Sequence, residues 1–556
     1  MTAQLEKVPW ADDRMLEPVD GDVRLAGSGI GVDLLAMILA RGGLQVTVSQ
    51  EAELAPVAVT TVPYTAELLH LLADRFSVPE IADLAMFGRL PAWLQASSGV
   101  KQSLGFVYHR SGRAHDRSEN VQFSVPGEHA EWHAYLPDVQ RHTKKLAQRY
   151  GARYTTGPLP GTGAHAVTLV CAGTSASQPG MLSGTADFED VTPFEQIKPP
   201  KDDGYTQPWS EGATVHGFRG GWVQVAAFGN HPGSRNAGCA VSVSVPASEV
   251  GGSGDLDAAL TALCQRYPDI GLQLRGARRK GPWRQTGDAG ARTGPNGDPV
   301  REDRSDAGAR TGPNGDSVRE DRSAALVLQL GLDRGEVLFG QDFTLLLELV
   351  HASAAILLAP GALATPEASA AAMRDIERFQ QSLLSYQEDF SHAGRIATRS
   401  FQSWNAFLRA WLLWSISSAL ALKKVRLDAV RAGNWAAASQ FDQGVGWFDL
   451  APGIAKTVDG CAEAMKAVER QAVLPTVAAG RVFKLLSQRR VIPPLYKFGD
   501  PAARRYRLSL PTRLKLLAWT FTVAPKAYRG MLTADNITAV PDQGRHSAFD
   551  ATEGKQ

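Results

Sequence analysis

A glycine-rich turn between a strand and a helix is the feature that most constrains the fold of this chain. The sequence predicts a strand over residues 22–26, the turn Gly-Ser-Gly-Ile-Gly over 27–31, a helix over 32–41 and a second strand over 44–49. This order is a βαβ unit of the Rossmann type. In such a unit the glycines let the backbone approach a pyrophosphate, and the helix N-terminus offers unpaired N–H groups. The candidate dinucleotide-binding residues are therefore Gly27, Gly29 and Gly31.

Two positions depart from a complete dinucleotide motif. Val32 stands where the last glycine of GxGxxG would let helix and strand pack closely. The second strand ends in Gln50 where the motif has an acidic residue for the ribose hydroxyls, and Glu51 follows one position late, on the opposite face. Both changes predict weaker dinucleotide binding than a complete motif provides.

Composition excludes several classes of partner. The 58 basic and 57 acidic side chains nearly cancel, so no overall field attracts the chain to nucleic acid or to an anionic membrane. No apolar stretch reaches the length of a bilayer span, so we expect no integral membrane segment. The four cysteines lack CxxC spacing, which argues against a disulfide framework or a zinc site and fits a cytoplasmic location.

The pattern of the chain changes twice along its length. Residues 97–250 are rich in short alternating strands, as in a mainly antiparallel sheet, and from residue 366 onward apolar residues recur at helical spacing. We predict an α/β body over 1–365 and a helical C-terminal region over 366–556. Within the body, residues 288–305 recur as 306–323 with one change, Pro299 to Ser317. This duplicated segment lacks large apolar side chains, which predicts a disordered, solvated loop.

Five collinear segments carry a family resemblance. The sequences SSGVKQSLGFVYHRSGR (97–113) and NVQFSVPGEHAEWHAYLPDV (120–139), together with residues 209–245, 266–287 and 403–416, are similar to the flavin-dependent halogenases that act on free or carrier-protein-bound aromatic substrates. The resemblance implies a flavin monooxygenase-like α/β fold. Such a fold has a Rossmann-type FAD domain, an antiparallel substrate sheet and a helical C-terminal region.

The same resemblance implies a chemistry and a set of site residues. FAD, reduced by a separate flavin reductase, and oxygen would oxidise a halide to hypohalous acid, which reaches a catalytic lysine beside an aromatic small molecule or a carrier-protein-bound intermediate. Lys101 occupies the position of that lysine. Trp222, from the family's GWxWxIP segment, joins the glycines on the cofactor side. The predicted substrate-binding residues are Phe106, Tyr108, His216 and His231.

Departures from the family pattern fall on flavin-facing and halide-facing positions. Leu136 replaces an arginine, Cys171 replaces an aspartate, Ala227 replaces the proline of GWxWxIP, and residues 331–342 differ from the family's late flavin and halide segment. These changes predict weakened flavin binding. Two hypotheses follow: a working flavin enzyme, or a flavin-independent descendant that is either an enzyme of new chemistry or a non-catalytic binding or scaffolding protein.

The run EHAEWH raises a further alternative. Its side chains His129, Glu131 and His133 could ligate a metal if the run formed a strand, where alternate residues share a face. The resemblance instead makes the run a structural segment near the substrate sheet. We therefore expect no metal.

Overall fold

The computed structural model describes residues 21–50, 58–124, 131–156, 166–171, 181–197, 209, 211–250, 255–285, 326–328, 341–436, 454–488, 492–494, 497–506 and 510–524. The duplicated segment 288–323 lies outside the described residues. The strands are β1 (Asp22–Ala26), β2 (Gln45–Gln50), β3 (Ala58–Thr60), β4 (Gly99–Lys101), β5 (Ser103–Tyr108), β6 (Asn120–Ser124), β7 (Glu131–Tyr135), β8 (Arg153–Thr156), β9 (Ala166–Cys171), β10 (Met181–Glu189), β11 (Gly212–Phe218), β12 (Gly221–Ala227), β13 (Cys239–Pro246), β14 (Arg278–Arg279), β15 (Arg284–Gln285), β16 (Leu326–Leu328) and β17 (Arg505–Tyr506). The helices are α1 (Ile30–Arg41), α2 (Pro63–Arg75), α3 (Ala92–Ser97), α4 (Leu136–Arg149), α5 (Phe194–Ile197), α6 (Leu256–Arg266), α7 (Pro268–Leu274), α8 (Gln341–Leu357), α9 (Pro366–Ala397), α10 (Phe401–Ala432), α11 (Ile454–Glu469), α12 (Pro475–Leu486) and α13 (Leu510–Thr522).

A five-stranded parallel sheet with the order β16-β9-β1-β2-β8 contains the predicted βαβ unit. Val23 and Leu25 of its central strand are fully buried, as a parallel strand covered on both faces requires. Helix α1 is buried along nearly its whole length. It begins two residues earlier than predicted, because Gly29, with a φ of 139°, is its N-cap. The Rossmann-type prediction is confirmed.

A larger sheet follows the order β14-β10-β13-β12-β11-β5-β6-β17, and β15 also pairs with β10. Its pairs are antiparallel except for β5 with β11 and β6 with β17. One face packs under α10, where Trp404 contacts Phe106 with ring centroids 6.3 Å apart. The other face forms a second apolar cluster with α6 and α7. The expected antiparallel substrate sheet is therefore present, with two parallel pairings that local pattern did not predict.

A third sheet is antiparallel and has the order β3-β7-β4. Its register places Lys101 opposite Glu131 and Gly99 opposite His133. Because directly opposed residues of an antiparallel pair share a face, these four residues lie on one face of the small sheet.

The described elements from residue 366 onward are helices, apart from β17. Apolar spacing predicts helices over residues 373–391, 401–431 and 457–470, which correspond to α9, α10 and α11. Helices α12 and α13 lie in the predicted helical region but were not individually predicted, and α8 lies before it. One apolar cluster runs from Val23 of β1 to Trp519 of α13, so the body and the helical region share a core, and the division at residue 365 stays a prediction. No helix among the described residues is long and apolar enough to span a bilayer.

Candidate functional site

The turn after β1 has the geometry of a phosphate-binding loop. Gly27 and Gly29 both have a φ of 139°, a conformation that residues with a side chain rarely adopt. A Cβ on Gly27 would lie 2.3 Å from the carbonyl oxygen of Cys171. The Ser28 hydroxyl is buried and finds no hydrogen-bond partner among the described residues. Gly31 follows within the first turn of α1 and is buried.

These features fit the pyrophosphate of FAD. The glycines permit close approach, the N-terminus of α1 provides N–H groups, and the Ser28 hydroxyl is left to bond a ligand. Residues 27–29 would therefore hold the pyrophosphate. Trp222, the other predicted cofactor residue, lies in β12 of the larger sheet and is buried.

The end of β2, where a Rossmann motif binds ribose, differs from that motif. Gln50, the last residue of β2, accepts a hydrogen bond from the ammonium of Lys144 on α4, and that ammonium also lies 4.9 Å from the ring centroid of Tyr154. A cationic side chain and an amide therefore stand where the Rossmann motif has a carboxylate for the ribose hydroxyls.

A buried acid lies behind the loop, inside α1. Asp33 accepts hydrogen bonds from the Tyr154 hydroxyl at 2.7 Å and from the Thr143 hydroxyl at 3.0 Å. Burial raises the pKa of Asp33 to about 7, although both hydroxyls and the charge of Lys144 act in the opposite direction. This residue was not singled out from the sequence, because a lone acid in an apolar helix carries no motif.

Lys101 is almost completely enclosed. Its side chain is 2% exposed, and its ammonium lies 2.7 Å from a carboxylate oxygen of Glu131. The ammonium also donates to the backbone carbonyl of Thr61 at 2.6 Å. Burial is the largest influence on the pKa of Glu131 and raises it, while the Lys101 charge acts to lower it. The site therefore contains a buried ion pair fixed by cross-strand register.

His133 lies on the same face of the small sheet as this ion pair. Its ring crosses Gly99, where a Cβ would lie 2.2 Å from Nε2. Nε2 contacts the carbonyl of Ala227. Burial, helped by the charge of Lys101, lowers the pKa of His133 to about 4, although the bond to Ala227 acts in the opposite direction.

The residues after β12 hold β4 in position. The Asn230 side chain accepts from the N–H of Val100 at 2.9 Å and donates to the carbonyl of the same residue at 2.8 Å. His231 Nε2 lies 3.1 Å from the carbonyl of Gln95 and 3.0 Å from that of Ser98. The predicted substrate residue His231 is thus next to the strand of Lys101, where it bonds backbone.

Two other predicted substrate residues lie on the face of the larger sheet under α10. Phe106 packs against Phe123 and Trp404. The Tyr108 hydroxyl donates to the carbonyl of Thr398 at 2.8 Å.

His216 lies on the opposite face of the larger sheet. Its Nδ1 is 2.9 Å from Nε2 of His109, and burial lowers the pKa of His216 to about 4. The structure therefore groups Lys101 with His231. Trp222, predicted on the cofactor side, lies on the same face of the larger sheet as Phe106 and Tyr108, because it opposes Gly217 and Gly217 opposes Tyr108. His216 stands apart from both groups.

The positions that depart from the family pattern are partly described. Leu136 begins α4 and is buried. Cys171 ends β9 beside Gly27, and burial raises the pKa of its thiol to about 12, so it stays a neutral thiol. Residues 331–340 and His129 lie outside the described residues. Within the described part of the chain, no cluster of metal-ligating side chains occurs.

Glu131 and His133 are the residues near Lys101 that the family resemblance did not assign. The signal was available, since the two alternate in the run EHAEWH and share a face if that run forms a strand, as it does in β7. Their strand partner could not be read from that pattern, because the residues of β4 and β7 are about thirty positions apart.

Comparison with known proteins identifies relatives over most of the chain. No family model matches. Monodechloroaminopyrrolnitrin halogenase PrnC of Pseudomonas fluorescens is 25% identical over 557 residues, covering 91% of this chain and 92% of the relative. Tetracycline 7-halogenase of Kitasatospora aureofaciens is 26% identical over 441 residues, covering 71% of this chain and 73% of the relative.

Solved structures give the same result for the fold. The crystal structure of halogenase PltM in complex with phloroglucinol and FAD has a TM-score of 0.71 at 19% identity, covering 87% of this chain and 99% of PltM. The sequence similarity extends over nearly the whole chain, and the fold matches that of an FAD-bound halogenase. The chain is therefore a flavin-dependent halogenase-like protein, a diverged relative of the halogenases of natural-product biosynthesis.

Proposed function

We propose that this protein halogenates an electron-rich aromatic intermediate of natural-product biosynthesis, with Lys101 at the reacting centre. The observation that carries the proposal is the buried Lys101–Glu131 ion pair. Two of the three ammonium N–H groups are directed to Glu131 and Thr61, and the third has no partner among the described residues. A fixed ammonium with one N–H to spare can hydrogen-bond a reagent in a defined orientation.

FAD, held at residues 27–29, would supply the oxidation of halide to hypohalous acid with oxygen. The N–H of Lys101 would donate to the oxygen of hypohalous acid and make the halogen more electrophilic. Glu131, 2.7 Å from the ammonium, would hold it in a fixed orientation. Enclosure of the pair excludes water, which strengthens each of these interactions.

The partners follow from this chemistry. Reduced FAD would come from a separate flavin reductase, and the substrate would be a free aromatic molecule or one attached to a carrier protein. The cysteines Cys171, Cys239, Cys264 and Cys461 are all free, which supports a reducing compartment such as the cytoplasm.

Product analysis tests the proposal. The protein is incubated with FAD, a flavin reductase, NADH, oxygen and chloride or bromide, with phloroglucinol or monodechloroaminopyrrolnitrin as substrate, and halogenated products are detected by mass spectrometry. We expect halogenation by the parent, none by Lys101→Ala, and full activity in Lys145→Ala, which removes an exposed lysine. Equal product from Lys101→Ala and the parent would contradict the assignment of Lys101.

One observation favours the second hypothesis, a flavin-independent use of the same site. Lys144 and Gln50 occupy the ribose position in place of a carboxylate, which weakens the case for a tightly held adenine dinucleotide. The two functions differ in one requirement: halogenation stops when FAD is withheld. Conversion of an aromatic substrate in the absence of flavin and reductase would support the flavin-independent enzyme.

A further inference from the structure

The imidazole of His133 has a defined protonation pattern. A carbonyl oxygen can only accept a hydrogen bond, so the contact with Ala227 requires Nε2 to carry the proton. In the neutral ring, Nδ1 is then a lone-pair acceptor. That acceptor is buried and has no partner among the described residues, and the side chain as a whole is 0% exposed.

An unsatisfied buried acceptor costs free energy, since the group loses water without gaining a bond. This unsatisfied acceptor lies beside the ion pair of the candidate site. Glu131 and His133 are alternate residues of β7, opposite Lys101 and Gly99. The absence of a side chain at Gly99 is what makes room for the imidazole, because a Cβ there would lie 2.2 Å from Nε2.

Other buried histidines differ from this arrangement. His109 and His216 share a hydrogen bond with each other, and His351 lies 2.8 Å from a guanidinium nitrogen of Arg75. His115 also has ring nitrogens without a hydrogen-bond partner among the described residues, but it packs against His109 and Phe194. His133 differs in that its tautomer is fixed by Ala227 and it shares a face with a buried lysine.

We propose that His133 is a second catalytic residue of the Lys101 site, whose Nδ1 accepts the hydroxyl or amino proton of the aromatic substrate. The proposal rests on the proposed function and names the part of the substrate that the site recognises: an O–H or N–H donor attached to the ring. Lys101 binds the halogen donor, and His133 accepts a proton from the substituent on the ring.

The reaction of a phenol with hypohalous acid begins at the substrate hydroxyl. The substrate O–H bond breaks, its proton moves to Nδ1, and the electron pair forms a C=O bond while a ring carbon bonds the halogen. The halogen–oxygen bond breaks, and the departing hydroxide takes a proton from the Lys101 ammonium to form water. The neutral Lys101 amine takes the ring C–H proton, the electron pair of that C–H bond restores the aromatic ring, and Nδ1 returns its proton to the phenolate oxygen. The products are the halophenol and water.

Two substitutions separate the two nitrogens of His133. A glutamine amide reaches the position of Nε2, so His133→Gln can keep the bond to Ala227 while removing the Nδ1 acceptor. An asparagine amide reaches only the position of Nδ1, so His133→Asn keeps an acceptor but loses the bond to Ala227. If His133 is only structural, His133→Asn should lose more stability than His133→Gln. If His133 is catalytic, His133→Gln should lose function.

Calorimetric binding of two matched ligands tests the proposal without turnover. Phloroglucinol carries three hydroxyl donors, and 1,3,5-trifluorobenzene has a similar shape and none. We expect the parent to prefer phloroglucinol by about tenfold or more, His133→Gln to lose that preference, and His133→Asn to retain it with a lower melting temperature. In the halogenation assay we expect kcat of His133→Gln to fall by about 100-fold or more.

The outcomes separate this proposal from the proposed function. A glutamine variant that keeps the phloroglucinol preference or the full kcat would overturn the role of His133, and so would a parent that shows no preference. If the preference is present and lost in His133→Gln but the parent makes no halogenated product, His133 stands as the acceptor and halogenation fails. Halogenation without any His133-dependent preference would leave the proposed function intact and remove His133 from it.

Discussion

Breaking the buried ion pair should change stability in a way that no surface pair could. Lys101→Met removes one partner and leaves the Glu131 carboxylate enclosed, with 5% of the residue exposed. Removal of one member of a buried pair typically costs about 3–5 kcal/mol, because an uncompensated charge remains. The double variant Lys101→Met with Glu131→Gln leaves no buried charge, so we expect it to recover most of that loss.

The pH dependence of Lys101→Met gives a second test. In the parent, burial already acts to raise the pKa of Glu131, and loss of the lysine removes the opposing charge. A carboxyl whose pKa is raised on folding contributes stability below its unfolded value, and that stability is lost as pH rises through the folded pKa. The deficit of the single variant should therefore be larger at pH 8 than at pH 5.

Urea unfolding followed by tryptophan fluorescence measures these differences, since the chain has 12 tryptophans. The parent, both single variants and the double variant are compared at pH 5 and pH 8, with Lys145→Met as the exposed-lysine control. A Lys101→Met protein that unfolds at the urea concentration of the parent, at both pH values, would refute the reasoning. A double variant no more stable than Lys101→Met would show that the loss comes from packing rather than charge.

Three further predictions concern the dinucleotide edge. Gly27→Ala should destabilise the fold by more than about 2 kcal/mol in thermal unfolding, because Gly27 has a φ of 139° and the new methyl group would lie 2.3 Å from a carbonyl oxygen. The control Gly88→Ala, at a position with open space around it, should leave stability unchanged. Equal melting temperatures for the two variants would contradict this prediction. Folding raises the pKa of Asp33 from 3.8 to about 7, so the parent loses stability as pH rises through this interval, by about 1.4 kcal/mol per pKa unit. Asp33→Asn cannot titrate and should therefore gain stability relative to the parent over the same interval. A difference in urea midpoint that stays constant across the interval would argue against a titrating Asp33. The parent should be colourless after purification and bind FAD only above micromolar concentration, so halogenation should require excess FAD in the assay. Gln50→Glu should strengthen FAD binding by about tenfold by restoring a ribose acceptor. A yellow parent with stoichiometric FAD would contradict the weak binding.

The sequence was most informative where structure is local. The βαβ unit follows from apolar strands and the glycines at 27 and 29, and the structure has it with boundaries shifted by at most two residues. Long helices such as α9 and α10 follow from apolar spacing. The order of strands in the larger sheet was not predictable in this way, because the parallel pairing of β5 with β11 joins residues more than 100 positions apart.

The candidate site was likewise predictable only where it depends on local sequence. Lys101 was found through its surrounding sequence, but its partner depends on the register of β4 with β7, which a single sequence does not specify. Asp33 and Lys144 were missed for a related reason. Their interactions depend on how α4 and β8 pack against α1 and the end of β2, and neither residue belongs to a recognisable motif.

The buried ion pair also bears on whether the site has a function at all. A pair of enclosed charges is weak evidence for stability, because desolvation offsets the attraction and well-packed apolar residues of the same volume are often as stable or more so. Lys101 and Glu131, together with the vacant acceptor on His133, are therefore three costly features on one face of a small sheet. Stability alone would favour an apolar face there. Polar groups kept buried, oriented and incompletely satisfied are what a site for proton transfer requires, and the three residues are best explained together by chemistry on a bound substrate.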